Sequence, residues 1–149
     1  MPAKEVDALK NEKIDVNDNK AKLDGGAMLR LTTGNAEDFS IVLSNDTSQR
    51  TVIGYDKAAN QFYIDRTASG KASFEKGFAS RTVAPRIAAT DSIDITLVID
   101  VASVELFADK GTTVMTAIFF PDEDYNQLSI EAKEKPVFRS IELTALKPM

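Results

Sequence analysis

The sequence predicts an all-β fold, a β-sandwich of two antiparallel sheets of the jelly-roll or concanavalin-like kind, with no substantial helix. Apolar and polar residues alternate with a period of two in short runs along most of the chain, which places the apolar side chains on one face of each strand. Polar turns containing Gly, Asn, Asp or Pro separate these runs at intervals of about 8–12 residues, a spacing typical of sandwiches and barrels.

The clearest strands lie between residues 92 and 121. Four aliphatic residues alternate with polar ones here, at Ile93, Ile95, Leu97 and Ile99. A short connection leads to Val104 and Leu106, and residues 108–111 supply a second turn before the β-branched run 113–119. The pattern predicts three consecutive antiparallel strands at the centre of a sheet.

The other strands follow from the same alternation. They are predicted at residues 10–21, 27–33, 39–43, 50–55, 61–65, 83–87, 127–131 and 137–143. The strongly charged run 10–21, with Ile14 and Val16 on one face, predicts an edge strand whose charges discourage pairing with other chains. Pro85 has no N–H to donate, so the segment 83–87 is predicted to be an edge strand or an extended crossover.

Composition limits the chemistry. The 149 residues suit a single domain, and they include no cysteine and no histidine. Disulfides, thiolate metal sites, the usual general base and the Ser-His and Cys-His pairs are therefore excluded. Neither a cofactor nor a metal site is predicted.

Charge and hydropathy limit the partners. The formal net charge is −5 and the pI is about 4.8, with Lys and Arg scattered along the chain, which argues against nucleic acid as a partner. No apolar run approaches the roughly 20 residues of a membrane helix, and no signal-peptide core follows Met1. We expect no membrane association, and an export signal would lie outside this sequence.

Four short blocks occur in an order and spacing that resemble one family. They are IGYD at 53–56, YIDRT at 63–67 with Ser69-Gly70, the run from Ile99-Asp100 to SVELFAD at 103–109, and IFFP at 118–121. The arrangement resembles the C-terminal β-sandwich module of glycoside hydrolase family 32, the family of invertases, inulinases and levanases. The resemblance covers nearly the whole chain and looks nearest to a bacterial levanase or exo-fructanase.

The resemblance implies a non-catalytic module of a fructan-degrading enzyme. Residues 1–10 resemble a tether from a missing N-terminal five-bladed propeller, and residues 11–149 would form one sandwich that packs against and stabilises that propeller. In the family, the propeller carries the catalytic carboxylates in Asn-Asp-Pro-Asn-Gly, Arg-Asp-Pro and Glu-Cys-Pro motifs, none of which occurs here. The chain alone is therefore expected not to be an enzyme.

The same resemblance implies an extracellular or periplasmic parent protein. Sandwich modules of this family can support dimer contacts, so a weak homodimer is a further expectation. The choice among levan, inulin and sucrose would be made by propeller residues and stays open here.

Two carboxylates in the matching blocks, Asp65 and Glu105, are the most suggestive candidates for glycosidase chemistry. A retaining glycosidase needs its two carboxyl groups about 5–5.5 Å apart. Glu105 alternates with apolar residues and is expected either to point outward or to pair with Arg66 or Arg50 across the sheet. Asp65 and Arg66 end a predicted strand, where a salt bridge or turn hydrogen bond is expected. All three motif residues are therefore predicted to be structural, and no catalytic residue is predicted.

Sugar binding by the sandwich itself is the alternative function, with a fructan oligosaccharide as the ligand. Such sites use exposed aromatic rings and a few polar groups. The chain has no Trp, and Tyr55 and Tyr63 lie within strands, where burial is expected. Tyr125 lies in an acidic turn and is expected to be exposed, so Tyr125, Asn126 and Asp124 form the predicted carbohydrate site. This turn lacks the oxygen spacing of a calcium loop.

A packing module should also expose apolar residues where its partner domain was attached. The candidates are Val6 and Leu9 near the start of the chain and Phe74 and Phe78 in the predicted loop 67–80. We expect a patch larger than the few hundred Å² usual for a monomer.

Overall fold

The chain forms two six-stranded antiparallel sheets, which confirms the predicted all-β sandwich. The structure is a computed structural model, and it describes residues 10–14, 19–23, 25–47, 49–68, 81–100, 103–118, 125–132 and 138–146. In chain order the strands are β1 (Lys10–Ile14), β2 (Lys20–Lys22), β3 (Gly26–Thr33), β4 (Phe39–Ser44), β5 (Arg50–Asp56), β6 (Gln61–Ala68), β7 (Arg81–Pro85), β8 (Asp94–Ile99), β9 (Ser103–Ala108), β10 (Thr113–Ile118), β11 (Gln127–Ala132) and β12 (Phe138–Leu146).

The strand order differs from the sequence prediction in the first sheet, sheet A. Its order is β1-β12-β3-β8-β9-β10, and that of the second sheet, sheet B, is β2-β11-β4-β5-β6-β7. The prediction that β8, β9 and β10 occupy a sheet centre is wrong for β10, which forms an edge. Strand β8 pairs on its other side with β3, which is remote in the sequence, and alternation alone does not show such non-local pairing.

The two outer strands that precede β3 also correct a prediction. The run 10–21 was expected to form one edge strand, but it contributes β1 to an edge of sheet A and β2 to an edge of sheet B. Strand β1 pairs with β12, and β2 pairs with β11. The charged composition correctly predicted edge positions, whereas the division between two sheets depends on distant partners. Strand β7, which ends at Pro85, lies at an edge as predicted.

The core lies between the sheets. It is filled by the inward-facing side chains of those strands in which buried and more exposed residues alternate. In β8 and β9 the buried and less buried residues alternate strictly, as predicted for Val104 and Leu106. The largest fully buried side chains are Phe62, Leu29, Leu31, Ile41, Leu43, Ile53, Ile64, Ile93, Leu97, Leu106 and Leu128. Each such side chain contributes roughly 1.5–3 kcal/mol relative to an exposed one. The residues predicted to form an exposed apolar patch, Val6, Leu9, Phe74 and Phe78, lie outside the described residues.

A buried ion pair fastens the crossover between the sheets. Arg86, directly after β7, donates from Nε to Asp109 Oδ2 at 3.0 Å, and both side chains are only 4% exposed. Arg86 Nη2 also donates to the carbonyl oxygens of Thr90, at 2.7 Å, and Ser92, at 3.1 Å. Asp109 belongs to the β9–β10 turn and has a left-handed φ of 52°. The pair therefore joins the chain leaving sheet B to a hairpin of sheet A.

We expect Arg86→Ala and Asp109→Ala each to lower the free energy of unfolding by about 3–5 kcal/mol, because each leaves an uncompensated buried charge. Urea unfolding followed by circular dichroism measures the change. Lys57→Ala, which breaks the exposed Lys57–Glu37 pair of 2.8 Å, is the control and should leave the midpoint unchanged. A wild-type midpoint for either buried variant would show that this pair does not stabilise the fold.

Candidate functional site

A cleft of about 470 Å³ opens on the outer face of sheet B. Its lining includes the polar side chains of Asp38, Ser40, Asp56, Tyr63, Arg81 and Glu131. Five of these residues belong to sheet B strands: β4 provides Ser40, β5 provides Asp56, β6 provides Tyr63, β7 provides Arg81 and β11 provides Glu131. The cleft therefore depends on the pairing of strands that are far apart in the sequence.

One row of cross-strand neighbours runs across sheet B, and three of its members, Ser40, Tyr63 and Glu131, line the cleft. Glu131 pairs with Ser40, Ser40 with Gly54, Gly54 with Tyr63, and Tyr63 with Val83. Residues directly opposite each other on paired strands share a face of the sheet. All five positions therefore face outward, away from the core.

Gly54 makes room for the Tyr63 ring. A Cβ atom at this position would lie 2.5 Å from Tyr63 Oη and 2.5 Å from the carbonyl oxygen of Phe39, closer than any real contact. The ring therefore lies over the backbone of β5 and points toward β4. Sequence analysis predicted that Tyr63 is buried, but the side chain is only half-buried, since it covers the outer face of the sheet.

Arg81 covers the other side of the ring. Its guanidinium carbon lies 4.2 Å from the centroid of the Tyr63 ring, a cation–π contact. Its Nη2 lies 3.9 Å from Asp56 Oδ2, and the Arg81 side chain remains 45% exposed. Burial raises the pKa of Tyr63, and the positive charge of Arg81 partly opposes this rise. The phenol is thus a neutral hydroxyl fixed between a glycine and a guanidinium.

We expect Gly54→Ala to lower the free energy of unfolding by about 1–3 kcal/mol, because the new methyl group displaces the Tyr63 ring and presses on the Phe39 carbonyl. Chemical denaturation measures the loss. Ser40→Ala, the neighbour in the same row, should change stability by less than about 0.5 kcal/mol. Equal stability of Gly54→Ala and wild type would refute the close approach.

The structure separates the two carboxylates considered for catalysis. Glu105 is exposed on the outer face of sheet A, opposite Val98 and Thr116. Asp65 lies on the outer face of sheet B, opposite Val52 and Arg81. Packed sheets are about 10 Å apart, so these two groups cannot form a pair separated by about 5–5.5 Å.

Two predictions, the pairing of Glu105 and the position of Arg66 at the end of a strand, need correction. Arg66 and Arg50 belong to sheet B and Glu105 to sheet A, so the suggested pairing of Glu105 with either arginine is wrong. Arg66 lies inside β6, before its end, and its Nη1 donates to the carbonyl oxygen of Ile118 at 2.8 Å. Arg66 therefore links sheet B to the last described residue of β10.

The predicted exposure of Tyr125 is also wrong. The side chain is 6% exposed and belongs to the core, and its hydroxyl lies 2.9 Å from Thr51 Oγ1. The acidic turn suggested exposure, but the ring folds inward beside β11, whose first residues already follow the alternating pattern. Asn126 is half-buried, its backbone N–H donates to the Ser44 carbonyl, and Asp124 lies outside the described residues. Tyr125 offers no open ring to a sugar here.

The raised pKa values of two tyrosines predict that the free energy of unfolding decreases at alkaline pH. Burial raises the pKa of both Tyr63 and Tyr125 above 10.0, so the folded chain keeps a proton where the unfolded chain loses it. The contribution of these tyrosines to the free energy of unfolding is complete below about pH 10 and falls as the pH rises above that value. Tyr63→Phe and Tyr125→Phe should each make this decline shallower in urea unfolding. Between about pH 6 and 8 the variants should show the same slope as wild type, and an unchanged alkaline slope would contradict the prediction.

Exposed apolar side chains occur along one side of the sandwich. They are Val83 at 48%, Ile87 at 71%, Val114 at 53% and Ile118 at 44% exposure. They lie on the edge strands β7 and β10 or directly after β7. Thr113 Oγ1 donates to the Pro85 carbonyl at 3.1 Å, which places the two edge strands side by side. We call this surface the β7–β10 side.

Within the described parts of the chain, no three acidic side chains come together to hold a metal ion. The acidic residues Asp122, Glu123 and Asp124 lie outside those parts. No helix among the described residues is long and apolar enough to cross a membrane.

The described residues form twelve strands in two antiparallel sheets, which defines the class of this protein as a β-sandwich domain. Its sequence matches a family model, described as glycosyl hydrolases family 32 C terminal, over residues 3–145. The chain therefore belongs to this family of C-terminal domains, which confirms the resemblance seen in the sequence.

Individual relatives are fungal and bacterial. The chain is 38% identical over 95 residues to an extracellular exo-inulinase of Aspergillus ficuum, covering 62% of this chain and 18% of the relative. It is 34% identical over 90 residues to a levanase of Bacillus sp. strain L7, covering 60% of this chain and 10% of the relative. The chain thus spans less than a fifth of the length of either relative.

Solved structures share the fold. An exo-inulinase from Aspergillus awamori superposes with a TM-score of 0.76 at 24% identity, covering 93% of this chain and 30% of that one. A sucrose-6-phosphate hydrolase from Lactobacillus gasseri gives 0.74 at 21% identity, covering 96% and 30%. This chain corresponds to about 30% of the length of each of these structures.

Proposed function

We propose that this chain is the non-catalytic C-terminal module of an exported, fructan-degrading glycosidase, and that it packs against and stabilises the N-terminal catalytic propeller. The observation that carries the proposal is the family match over residues 3–145, because a C-terminal domain is by definition preceded by another. The relatives named exo-inulinase and levanase support fructans as the substrate class of the parent protein. The name extracellular exo-inulinase supports an extracellular or periplasmic location.

The absence of catalysis is supported by chemistry and by placement. A retaining glycosidase needs two carboxyl groups about 5–5.5 Å apart, one as nucleophile and one as acid. Asp65 and Glu105, the carboxylates in the matching blocks, lie on opposite outer faces of the sandwich. A role for this chain in hydrolysis would then be indirect, through the stability of the catalytic domain.

The β7–β10 side is the surface we assign to the catalytic domain. Exposed edge strands invite pairing with other chains, and proteins commonly cover them. Here both edges also carry large apolar side chains in water, among them Val114 and Ile118. A domain packed on this side would remove these side chains from water and cover both edges at once.

The test compares the parent protein with and without this chain. We expect the isolated chain to release no fructose from levan or inulin, and the catalytic domain alone to unfold at a lower temperature than the two-domain protein. The double variant Val114→Ser/Ile118→Ser should lower the melting temperature of the two-domain protein more than that of the isolated chain, because only the former buries these residues at an interface.

Lys22→Ser on β2, an edge strand of sheet B on the opposite side, is the control and should affect neither protein. Equal melting temperatures for the catalytic domain with and without this chain would refute the stabilising role. Equal effects of the double variant in both proteins would refute the β7–β10 side as the interface. Size-exclusion chromatography of the isolated chain tests the weak homodimer, which stays a prediction.

A further inference from the structure

We propose that the cleft lined by Tyr63, Arg81 and Glu131 on the outer face of sheet B is a binding site for one or two units of a neutral oligosaccharide. The proposal is separate from the packing role, because none of the four exposed apolar residues of the β7–β10 side lines the cleft. It replaces the predicted carbohydrate site at Tyr125, whose ring is buried.

The size and lining of the cleft fit a sugar. Its volume of about 470 Å³ lies within the roughly 300–1,000 Å³ typical of small-molecule pockets. Sugar hydroxyls both donate and accept hydrogen bonds, and the cleft offers both kinds of partner. Asp38, Asp56 and Glu131 supply carboxylate acceptors, while Arg81 supplies guanidinium donors. Ser40 and the Tyr63 hydroxyl can serve in either direction.

The principal wall of the cleft is fixed before a ligand arrives. The Tyr63 ring lies between the bare backbone at Gly54 and the Arg81 guanidinium, whose centre is 4.2 Å from the ring centroid. At the rim, Asp38 Oδ1 accepts a hydrogen bond from the Lys57 backbone N–H at 2.7 Å. Groups held in place in the free protein lose less entropy on binding, which favours affinity.

Arg81 keeps donors for a ligand. Its closest approach to Asp56, at 3.9 Å, is longer than a hydrogen bond, and the side chain is 45% exposed. A tyrosine over a glycine is also a known way to stabilise a sheet. That purpose alone would not require an exposed guanidinium over the ring or three carboxylates around it.

The charges of the cleft select a neutral ligand. Three carboxylates surround a single guanidinium, so a phosphate or carboxylate ligand would meet net repulsion. Among the described residues the carboxylates do not converge on a point where a metal ion could bind. A polyhydroxylated neutral molecule makes the best use of dispersed acceptors around one donor group.

The test is an NMR titration of the 149-residue chain with short levan and inulin oligosaccharides, using sucrose and a maltooligosaccharide as comparison sugars. We expect saturable shifts of the backbone amides of Ser40, Tyr63 and Arg81 with a dissociation constant of about 1 mM. The shifts should be larger for at least one fructan oligosaccharide than for the glucan.

Arg81→Ala and Glu131→Gln should each weaken binding about tenfold, and the exposed position of Glu131 makes its variant safe for folding. Glu105→Gln on the opposite face and Tyr125→Phe in the core are matched controls and should leave the affinity unchanged. Circular dichroism checks that each variant is folded.

Three results would overturn the proposal. They are the absence of saturable shifts at tens of millimolar sugar, affinities that both cleft variants leave unchanged, and shifts confined to the surroundings of Asn126. None of these results bears on the packing role, which is measured by the melting temperature of the two-domain protein.

Discussion

The structure depends on one constraint, the burial of a single face of each of two stacked sheets. Because side chains alternate along a strand, the inward positions of β8, β9 and their partners fill one apolar layer, and the outward positions are free to vary. The outward-facing residues differ between the two sheets. Sheet A has apolar residues along its β10 edge, whereas sheet B has a polar cleft built across five strands. The buried Arg86–Asp109 pair ties the two sheets together where the chain crosses between them.

Alternation in the sequence predicted the strands and their buried faces, because it records a local property of the chain. Leu97 and Leu106 are buried as their positions required. It could not predict which strands become neighbours, and β10 therefore lies at an edge that the sequence placed in a centre. The predicted exposure of Tyr125 was wrong for a related reason. Its acidic neighbours suggested a surface turn, but the ring reaches Thr51 of β5, a partner 74 residues away that no local pattern identifies.

The cleft on sheet B is a clearer example of a feature that local sequence patterns do not predict. The block IGYD that contains Gly54 and the block YIDRT that contains Tyr63 were both visible in the sequence, and both contributed to recognition of the family. Their physical relation was not visible, since it requires the register that sets Gly54 opposite Tyr63 and brings Arg81 over the ring. A glycine inside a strand is a signal of close approach by another group. That signal could have drawn attention to Gly54, but it does not name the residue that approaches.

A weak sugar site on this module would suit its proposed attachment to a catalytic domain. Two binding regions joined in one molecule act at an effective concentration set by their separation, so the second contact with a polymer needs little affinity of its own. A fructan chain offers many identical units, and a cleft with millimolar affinity for one or two of them would keep the polymer near the enzyme without slowing its release. Tighter binding would retain the product as well as the substrate. The proposed site, the cleft lined by Tyr63 and Arg81 on sheet B, suits that requirement. Its hydrogen-bonding groups are dispersed, and dispersed hydrogen bonds to a neutral ligand exchange readily with water.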